Sequence, residues 1–418
     1  MLAPALGRLY ALSKRGARRG LDELAAACAA LGSPVDRFPV LHVAGTNGKG
    51  STSAMLAAMG RAAGLRTGLY TSPHLLRFAE RIQIDGTLID DQVLAEHLTV
   101  VLDRFPELTF FEVATLAAFT IFAEAGVELA VLEVGLGGRL DATNVVERPL
   151  VTAVTSIGLD HQEWLGDTVA LIAAEKAAIA KPGVPMVLGP LDDEARGVVV
   201  ATAVARGATP IVHARPGVLD GDAVVFAHHE RSVRARLGLH GRHQRENAAV
   251  ACHVAWASGL LDDEAIALGL ANARWPGRLE ALATPGGRVL LDGAHNPEGV
   301  RVLAQHLDEH PGPARALVFG AMGDKDFAAM VPPLALRCGA RVYVTPTLTG
   351  STRAGTPPDT LLALDPGGVA AGDLAEALAR AREAVGPDGE VIVAGSLYLV
   401  AEARALLLGL PRDPQVGL

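Results

Sequence analysis

Short apolar runs alternate along this chain with longer stretches rich in alanine and leucine. The runs fall at residues 38–43, 129–134, 150–155, 185–188, 288–291, 316–319, 341–344 and 390–394. They are strand-length and largely unbroken by polar residues, the pattern of strands buried on both faces of a parallel sheet. The stretches between them, such as 53–63 and 169–180, have helical length and composition. The expected class is therefore α/β, with parallel sheets flanked by helices. Residues 214–241 depart from this rhythm: Gly-Asp turns and alternating apolar positions predict a small antiparallel hairpin insertion. A cluster of proline and glycine at Trp275-Pro276-Gly277-Arg278-Leu279-Glu280 and Thr284-Pro285-Gly286-Gly287 precedes a fresh start of the strand-helix pattern. It predicts a first domain over 1–282 and a smaller, doubly wound, Rossmann-like one over 286–418.

The first apolar run leads into His42-Val43-Ala44-Gly45-Thr46-Asn47-Gly48-Lys49-Gly50-Ser51-Thr52. A strand, a glycine-rich turn and then a helix form a cradle for phosphate: backbone N–H groups and the helix dipole face the anion, and Lys49 adds a charge. The spacing is not the literal G-x-x-x-x-G-K-[ST], because Gly45 sits close to Gly48 and Gly50 separates Lys49 from Ser51. It is a variant P-loop, which predicts a bound nucleoside triphosphate.

Composition narrows the partners. The 418 residues carry a net charge of -9, with no basic stripe to suit nucleic acid or anionic lipid. No apolar stretch reaches spanning length before Gly, Pro or charge interrupts it, and a cytoplasmic protein is expected. Cys28, Cys252 and Cys338 are widely spaced and predict buried, inert thiols. The lysines are few, at 14, 49, 176, 181 and 325, in a chain that otherwise uses arginine. Such lysines suit chemistry a guanidinium cannot perform, either point-charge phosphate contact or an amine that loses its proton. Lys49 and Lys176 are the candidates.

Several strand ends carry further chemistry. Glu133 closes an apolar strand and precedes Gly135-Leu136-Gly137-Gly138-Arg139-Leu140-Asp141-Ala142-Thr143-Asn144, a loop suited to close backbone approach. A glutamate there is either solvated or a magnesium ligand beside phosphate. Ser156-Ile157-Gly158-Leu159-Asp160-His161 emerges at the same sheet edge, with His161 either a metal ligand or a capped structural residue. Lys176 lies in a helical pattern, where it either snorkels to solvent or is buried as a neutral amine. Ser72 sits in the loop Thr71-Ser72-Pro73-His74, as a turn former or a metal ligand. Phe110-Phe111-Glu112 opens a helix and supplies either core packing or a stacking surface for a flat heterocycle. Asp292-Gly293-Ala294-His295-Asn296-Pro297 is a further strand-end loop leading to a helix.

Taken in order, the Gly45 to Lys49 turn, Glu133, Asp160-His161, Glu175-Lys176-Ala177, Gly241-Arg242-His243-Gln244 with Asn247, Trp275 to Glu280 and Asp292 to Pro297 resemble the Mur ligase superfamily. Gly50-Ser51, Ser72-Pro73-His74 and the Phe-Phe-Glu helix resemble its folylpolyglutamate synthase branch, which includes bifunctional dihydrofolate synthases. The resemblance implies a P-loop, Mur-ligase-like ATP-binding domain followed by the Rossmann-like one. It implies an ATP-dependent ligase that adds L-glutamate to folate or dihydropteroate through an acyl phosphate. Thr46, Asn47, Gly48, Lys49, Gly50, Ser51, Asn247, Arg278 and Asp292 map to nucleotide-binding positions, the last three reaching across a domain cleft. Ser51, Ser72, Glu133, His161 and a carbamylated Lys176 map to Mg2+ ligands, with a monovalent cation as a further cofactor. His295 and Ser396, with Arg81, map near the incoming glutamate, and Lys49, Lys176 and His295 to the catalytic set. Phe110, Phe111, Glu112, Leu140, Asp141 and Ala142 map around the pterin, and Arg18-Arg19-Gly20-Leu21 to an N-terminal substrate loop carrying extra arginines. A monomer is implied. The competing expectations are a UDP-N-acetylmuramoyl amino-acid ligase, disfavoured because only 44 residues precede Gly45, and a P-loop nucleotide switch, disfavoured because no Asn-Lys-x-Asp guanine signature occurs.

Overall fold

A computed structural model describes residues 2–15, 20–347 and 354–413. Of the N-terminal substrate loop expected at 18–21, Arg18 and Arg19 lie outside the described residues. The chain divides into two compact units, one built from Met1–His74 and Phe78–Arg274, the other from Leu75–Arg77 and Trp275–Gln415.

The first unit is organised on an eight-stranded sheet. Its strands are β1 (Val40–Ala44), β2 (Thr67–Tyr70), β3 (Ile82–Ile84), β4 (Thr87–Leu88), β5 (Leu129–Glu133), β6 (Val151–Val154), β7 (Met186–Leu188) and β8 (Ile211–His213), in the spatial order β4-β3-β2-β5-β1-β6-β7-β8. From β2 to β8 every pairing is parallel, and only β3 and β4 turn back antiparallel. Every residue of β1, β5 and β6 is buried, as expected of strands covered by helices on both faces. The helix Lys49–Ala62 is buried from Ser51 through Gly60, so its own side chains, many of them small, are covered on all sides. Phe110–Glu124 is similarly enclosed and begins with a capping box between Thr109 and Glu112.

The insertion expected as a hairpin has one more strand. β9 (Val218–Asp220), β10 (Ala223–His228) and β11 (Arg231–Ala235) form a three-stranded antiparallel sheet. β9 is exposed throughout, so it lacks the buried alternate positions that reveal a strand in sequence.

The second unit contains β12 (Glu280–Thr284), β13 (Gly287–Leu291), β14 (Arg315–Phe319), β15 (Ala340–Tyr343), β16 (Val369–Ala370) and β17 (Glu390–Ala394), ordered β12-β13-β17-β14-β15-β16. All its pairings are parallel except the β12–β13 hairpin. The domain boundary expected between 282 and 286 falls inside that hairpin, whose two strands are hydrogen-bonded to each other, and the division lies at Arg274–Trp275 instead. Turn-rich composition does not distinguish a linker from a hairpin turn. The three cysteines are buried and free, and burial pushes the Cys338 thiol up to about 11. No helix among the described residues is long and apolar enough to cross a membrane.

Candidate functional site

β1 lies between β5 and β6, so three neighbouring parallel strands end at one sheet edge. The turn that follows β1 is held in shape by the loop that follows β6. Thr46 N–H donates to the Ser156 carbonyl at 2.8 Å, and Asn47 N–H to Ser156 Oγ at 2.9 Å. Thr155 Oγ1 donates to the Asn47 carbonyl at 2.6 Å, and Thr46 Oγ1 exchanges hydrogen bonds with both backbone groups of Gly158. Gly48 has φ +84°, and a Cβ there would sit 2.2 Å from Asn247 Oδ1, so the position admits only glycine. The helix then begins at Lys49 with no side-chain cap. Its first amides are thus unclaimed by any capping group, the arrangement that receives an anion. Lys49 Nζ donates to the carbonyls of Gly45 (3.0 Å) and Thr46 (3.1 Å), folded over its own turn.

Behind the turn, the helix Arg242–Ser258 contributes two buried amides. Gln244 Nε2 donates to Ser51 Oγ at 3.2 Å, and Asn247 Nδ2 donates to Gln244 Oε1 at 3.0 Å. Asn247 was expected to reach across a domain cleft, but it belongs to the same unit as the turn and lies directly against Gly48. Gln244, Thr155 and Ser156 were not assigned a role from sequence, although two polar residues three apart on an alanine-rich buried helix are a usable signal.

Glu133 pairs in register with Val43 at the end of β5 and is 5% exposed. Its Oε2 accepts the Ser72 N–H at 3.2 Å, which joins two of the expected metal ligands. The loop beyond it is organised by Asp141, whose Oδ2 accepts from the amides of Gly135 (3.0 Å) and Leu136 (2.9 Å) and whose Oδ1 accepts from Thr143 N–H at 3.0 Å. Burial pushes the Asp141 carboxyl upward against these hydrogen bonds. Asp141, expected beside the pterin, therefore has both oxygens engaged in shaping the loop, with Ala142 buried and Leu140 half-buried next to it.

That loop reaches the helix Val169–Ala177. A Cβ on Gly138 would lie 2.5 Å from the Glu175 carbonyl, Arg139 N–H donates to that carbonyl at 3.0 Å, and Arg139 Nε pairs with Glu175 Oε1 at 2.8 Å. Next along the helix is Lys176, 5% exposed. Burial, and then the charge of Lys49, lower its amine to about 7, with Asp160, Asp141 and Glu175 opposing. Lys176, Lys49 and Asp160 thus share one electrostatic environment. His161 adopts a left-handed backbone (φ +52°) as its N–H donates to Asp160 Oδ1 at 3.0 Å. Among the described residues no group of three His, Cys, Asp or Glu side chains could hold a metal ion.

A second cluster in this unit surrounds Arg81, which is 7% exposed. Its Nε donates to His74 Nδ1 at 2.9 Å, and its guanidinium carbon lies 5.2 Å from the Phe78 ring centre and 5.4 Å from that of Phe110. Burial and then Arg81 hold the His74 imidazole well below its ordinary value. Phe110 also faces Tyr10 at 5.5 Å and remains half-buried. Phe111 packs on Gly135 and lies 6.1 Å from Tyr70. Glu112 Oε2 accepts from both Thr109 N–H and Thr109 Oγ1 at 2.8 Å, closing the helix cap.

In the second unit, β13 leads into Asp292, whose Oδ2 accepts Leu279 N–H and whose Oδ1 accepts Ala294 N–H, both at 2.9 Å. Burial raises its carboxyl and Arg278 opposes that rise. The Arg278 guanidinium lies directly over Gly293, where a Cβ would meet Nη1 at 1.9 Å. His295 Nδ1 donates to the Gly293 carbonyl at 2.8 Å. Ser396 is buried and caps the helix Leu397–Leu408 by accepting Tyr398 N–H. Its neighbour Gly395 donates to the Ala294 carbonyl at 3.0 Å, so the His295 and Ser396 loops run side by side beyond β13 and β17.

The expected residues thus assemble as a phosphate turn with Ser51 and Asn247, a Ser72–Glu133 pair, a Lys49–Lys176–Asp160 group, an Arg81 cluster, and an Arg278–Asp292–His295–Ser396 group. Comparisons with known proteins follow the same division. Residues 43–255 match the Mur ligase middle domain, and residues 277–397 match the Mur ligase glutamate ligase domain. The chain is 36% identical to a folylpolyglutamate synthase of Lacticaseibacillus casei, covering 91% of this chain and 92% of the relative. It is 38% identical to a probable bifunctional folylpolyglutamate synthase/dihydropteroate synthase of Haloferax volcanii, covering 96% of this chain but spanning only 50% of that relative's length. The structure of E.coli FolC in complex with DHPP and ADP superposes with a TM-score of 0.87 at 32% identity, covering 98% of each chain.

Proposed function

Because this chain belongs to the folylpolyglutamate synthase family of the Mur ligases, we propose that it joins L-glutamate to a folate, and also to dihydropteroate, at the expense of ATP. A carboxylate repels an amine and lacks a leaving group, so it must first be activated. Its oxygen attacks the γ-phosphorus of ATP and ADP departs, leaving an acyl phosphate; the glutamate nitrogen then attacks the acyl carbon, loses a proton, and inorganic phosphate leaves.

The observation that carries this proposal is the burial of a second lysine, Lys176, within the field of Lys49 beside the phosphate turn. An amine whose charged form is disfavoured keeps a lone pair at neutral pH. That lone pair attacks the carbon of carbon dioxide, an N–C bond forms as one C=O π pair moves onto oxygen, a proton leaves the nitrogen, and the neutral amine becomes an anionic carbamate. Guanidinium cannot do this, which gives a reason for lysine in an arginine-rich chain.

In this proposal, Lys49 and the amides of Gly48, Gly50 and Ser51 hold the phosphates, supported by Thr46 and Asn47, with Asn247 behind them and Arg278 and Asp292 as nucleotide contacts of the second unit. His295 and Ser396 are the candidate glutamate contacts of the second unit, and Arg81 is that of the first. A divalent cation would be held by Ser51, Ser72, Glu133 and the Lys176 carbamate through hard oxygen donors, with His161 as a nitrogen donor, and magnesium would keep water and phosphate oxygens in its remaining positions. When bound, magnesium would offset the charge of the transferring phosphoryl group. We further infer a cytoplasmic location and a monomer.

The test is phosphate release from ATP with dihydropteroate or tetrahydrofolate, each with and without glutamate, followed by product mass. Glutamate-dependent release with both pterins, and a mass gain of one glutamyl residue, is expected. Turnover with tetrahydrofolate alone would restrict the enzyme to tail extension, and no glutamate dependence in any arm would overturn the assignment.

A further inference from the structure

A guanidinium removed from water requires partners for its charge and its donors, and it usually has a carboxylate. Arg81 is 7% exposed and has none among the described residues. Two ring faces, Phe78 and Phe110, lie over it, and its one side-chain hydrogen bond runs from Nε to His74 Nδ1 at 2.9 Å. The Nη1 and Nη2 edge makes no hydrogen bond to the described residues, yet neither nitrogen is among the fully enclosed, unpartnered polar atoms. That edge retains access to an arriving ligand, and its parallel N–H groups match a carboxylate.

The orientation of the edge depends on His74. Arg Nε–H can only donate, so His74 Nδ1 must accept, and the imidazole proton is therefore on Nε2. Nε2 faces Tyr10 Oη at 3.4 Å, and the Tyr10 ring lies 5.5 Å from Phe110 and 6.5 Å from Phe78. His74 itself stacks against Phe78 at 5.7 Å. Phe78 and Phe110, their planes 82° apart, confine the guanidinium by packing, and among the described residues only His74 holds it by a side-chain hydrogen bond.

We propose that His74 is a positioning residue: by accepting the Arg81 Nε–H it fixes the guanidinium with its Nη1/Nη2 edge turned to a substrate carboxylate. This rests on the ligase function proposed above and adds to it the residue that sets the arginine. Two substrates bring such a carboxylate, the incoming L-glutamate and the glutamyl tail of a folate; dihydropteroate has no tail.

The test compares the wild type with His74→Leu, which loses the acceptor, and His74→Gln, which keeps one in its side-chain carbonyl, each in Arg81 and Arg81→Lys backgrounds. KM and kcat are measured for L-glutamate, tetrahydrofolate and dihydropteroate, with thermal unfolding to verify that each protein is folded. In the Arg81 background, His74→Leu should raise one KM roughly ten-fold while kcat stays within about three-fold, and His74→Gln should restore most of the loss. A rise in the KM of L-glutamate with both pterins identifies the incoming amino acid; a rise confined to tetrahydrofolate identifies the tail. In Arg81→Lys, His74→Leu should add little, because the group it positions is gone. Equal KM changes for Leu and Gln, a KM effect that persists undiminished in Arg81→Lys, or a loss confined to kcat would overturn the role. A wild type without glutamate-dependent turnover would instead overturn the ligase function, and this role with it.

Discussion

Lys176 is the residue whose chemistry distinguishes this site from an ordinary phosphate cradle. Replacing it by arginine keeps a positive charge of similar reach but no neutral amine. Lys176→Arg should reduce kcat by roughly 100-fold and abolish the carbamate resonance expected by 13C NMR in labelled bicarbonate; retained activity would show that no carbamate is required, and a retained resonance that Lys176 does not carry it. His42 offers a separate residue-scale test. It lies fully buried in β1 with Nε2 2.8 Å from Thr143 Oγ1 and with Nδ1 unpartnered, and burial lowers it to about 3 from an ordinary 6.5. Between those values the unfolded chain binds the extra proton, so stability falls as pH drops from about 6.5 to 3, with a limiting slope of about 1.4 kcal/mol per pH unit. His42→Asn should flatten that decline, as read from urea midpoints at several pH values across the window. Parallel declines in variant and wild type would assign the acid sensitivity to other groups.

At the scale of elements, strand-turn-helix units were readable because they are local: β1, its turn and the helix Lys49–Ala62 lie within one continuous stretch. Gly48→Ala places a methyl group against Asn247 at a left-handed position, and it should lower ATP affinity by more than ten-fold, measured by calorimetry on the folded variant. Affinity close to wild type would mean that the turn rearranges freely. The helix Phe110–Glu124 illustrates the opposite case. Phe110-Phe111-Glu112 suggested a ligand surface, and what the sequence did not reveal is that Glu112 closes a capping box and that Phe110, half-buried, lies beside Arg81 and Tyr10. Thr109→Ala should cost about 1 kcal/mol of stability without raising the KM for either pterin; a KM effect with unchanged stability would return this helix terminus to the substrate site. The roles of Gln244, Thr155 and Ser156 were not assigned for a related reason. Their significance comes from partners 193, 108 and 109 residues away, and no local periodicity encodes such pairings.

At the scale of the molecule, the alternation of apolar runs was enough to foresee two parallel α/β sheets, while their edges were harder to place. β12, half exposed and paired with only one neighbour, was divided by the expected boundary, and the exposed β9 was missed. Each unit has its own buried clusters, the second centred on residues such as Leu317, Phe319 and Ile392 on one side of its sheet and Val318, Val342 and Val391 on the other. A protein of residues 275–418 should accordingly unfold in one cooperative transition when expressed alone; a non-cooperative melt would show that it depends on the remainder of the chain. The long sequence separations at the phosphate turn have a kinetic consequence. Contacts between distant residues must await closure of long loops, and topologies dominated by them fold slowly. A nascent chain that has emerged through Ala62 already contains β1, the turn and its helix, but the Thr155–Ser156 brace and the Gln244–Asn247 backing arrive only much later in synthesis. Nucleotide affinity should therefore be among the last properties acquired during biogenesis, and a chain truncated before Gln244 would carry the whole glycine-rich signature without the seat that gives it meaning.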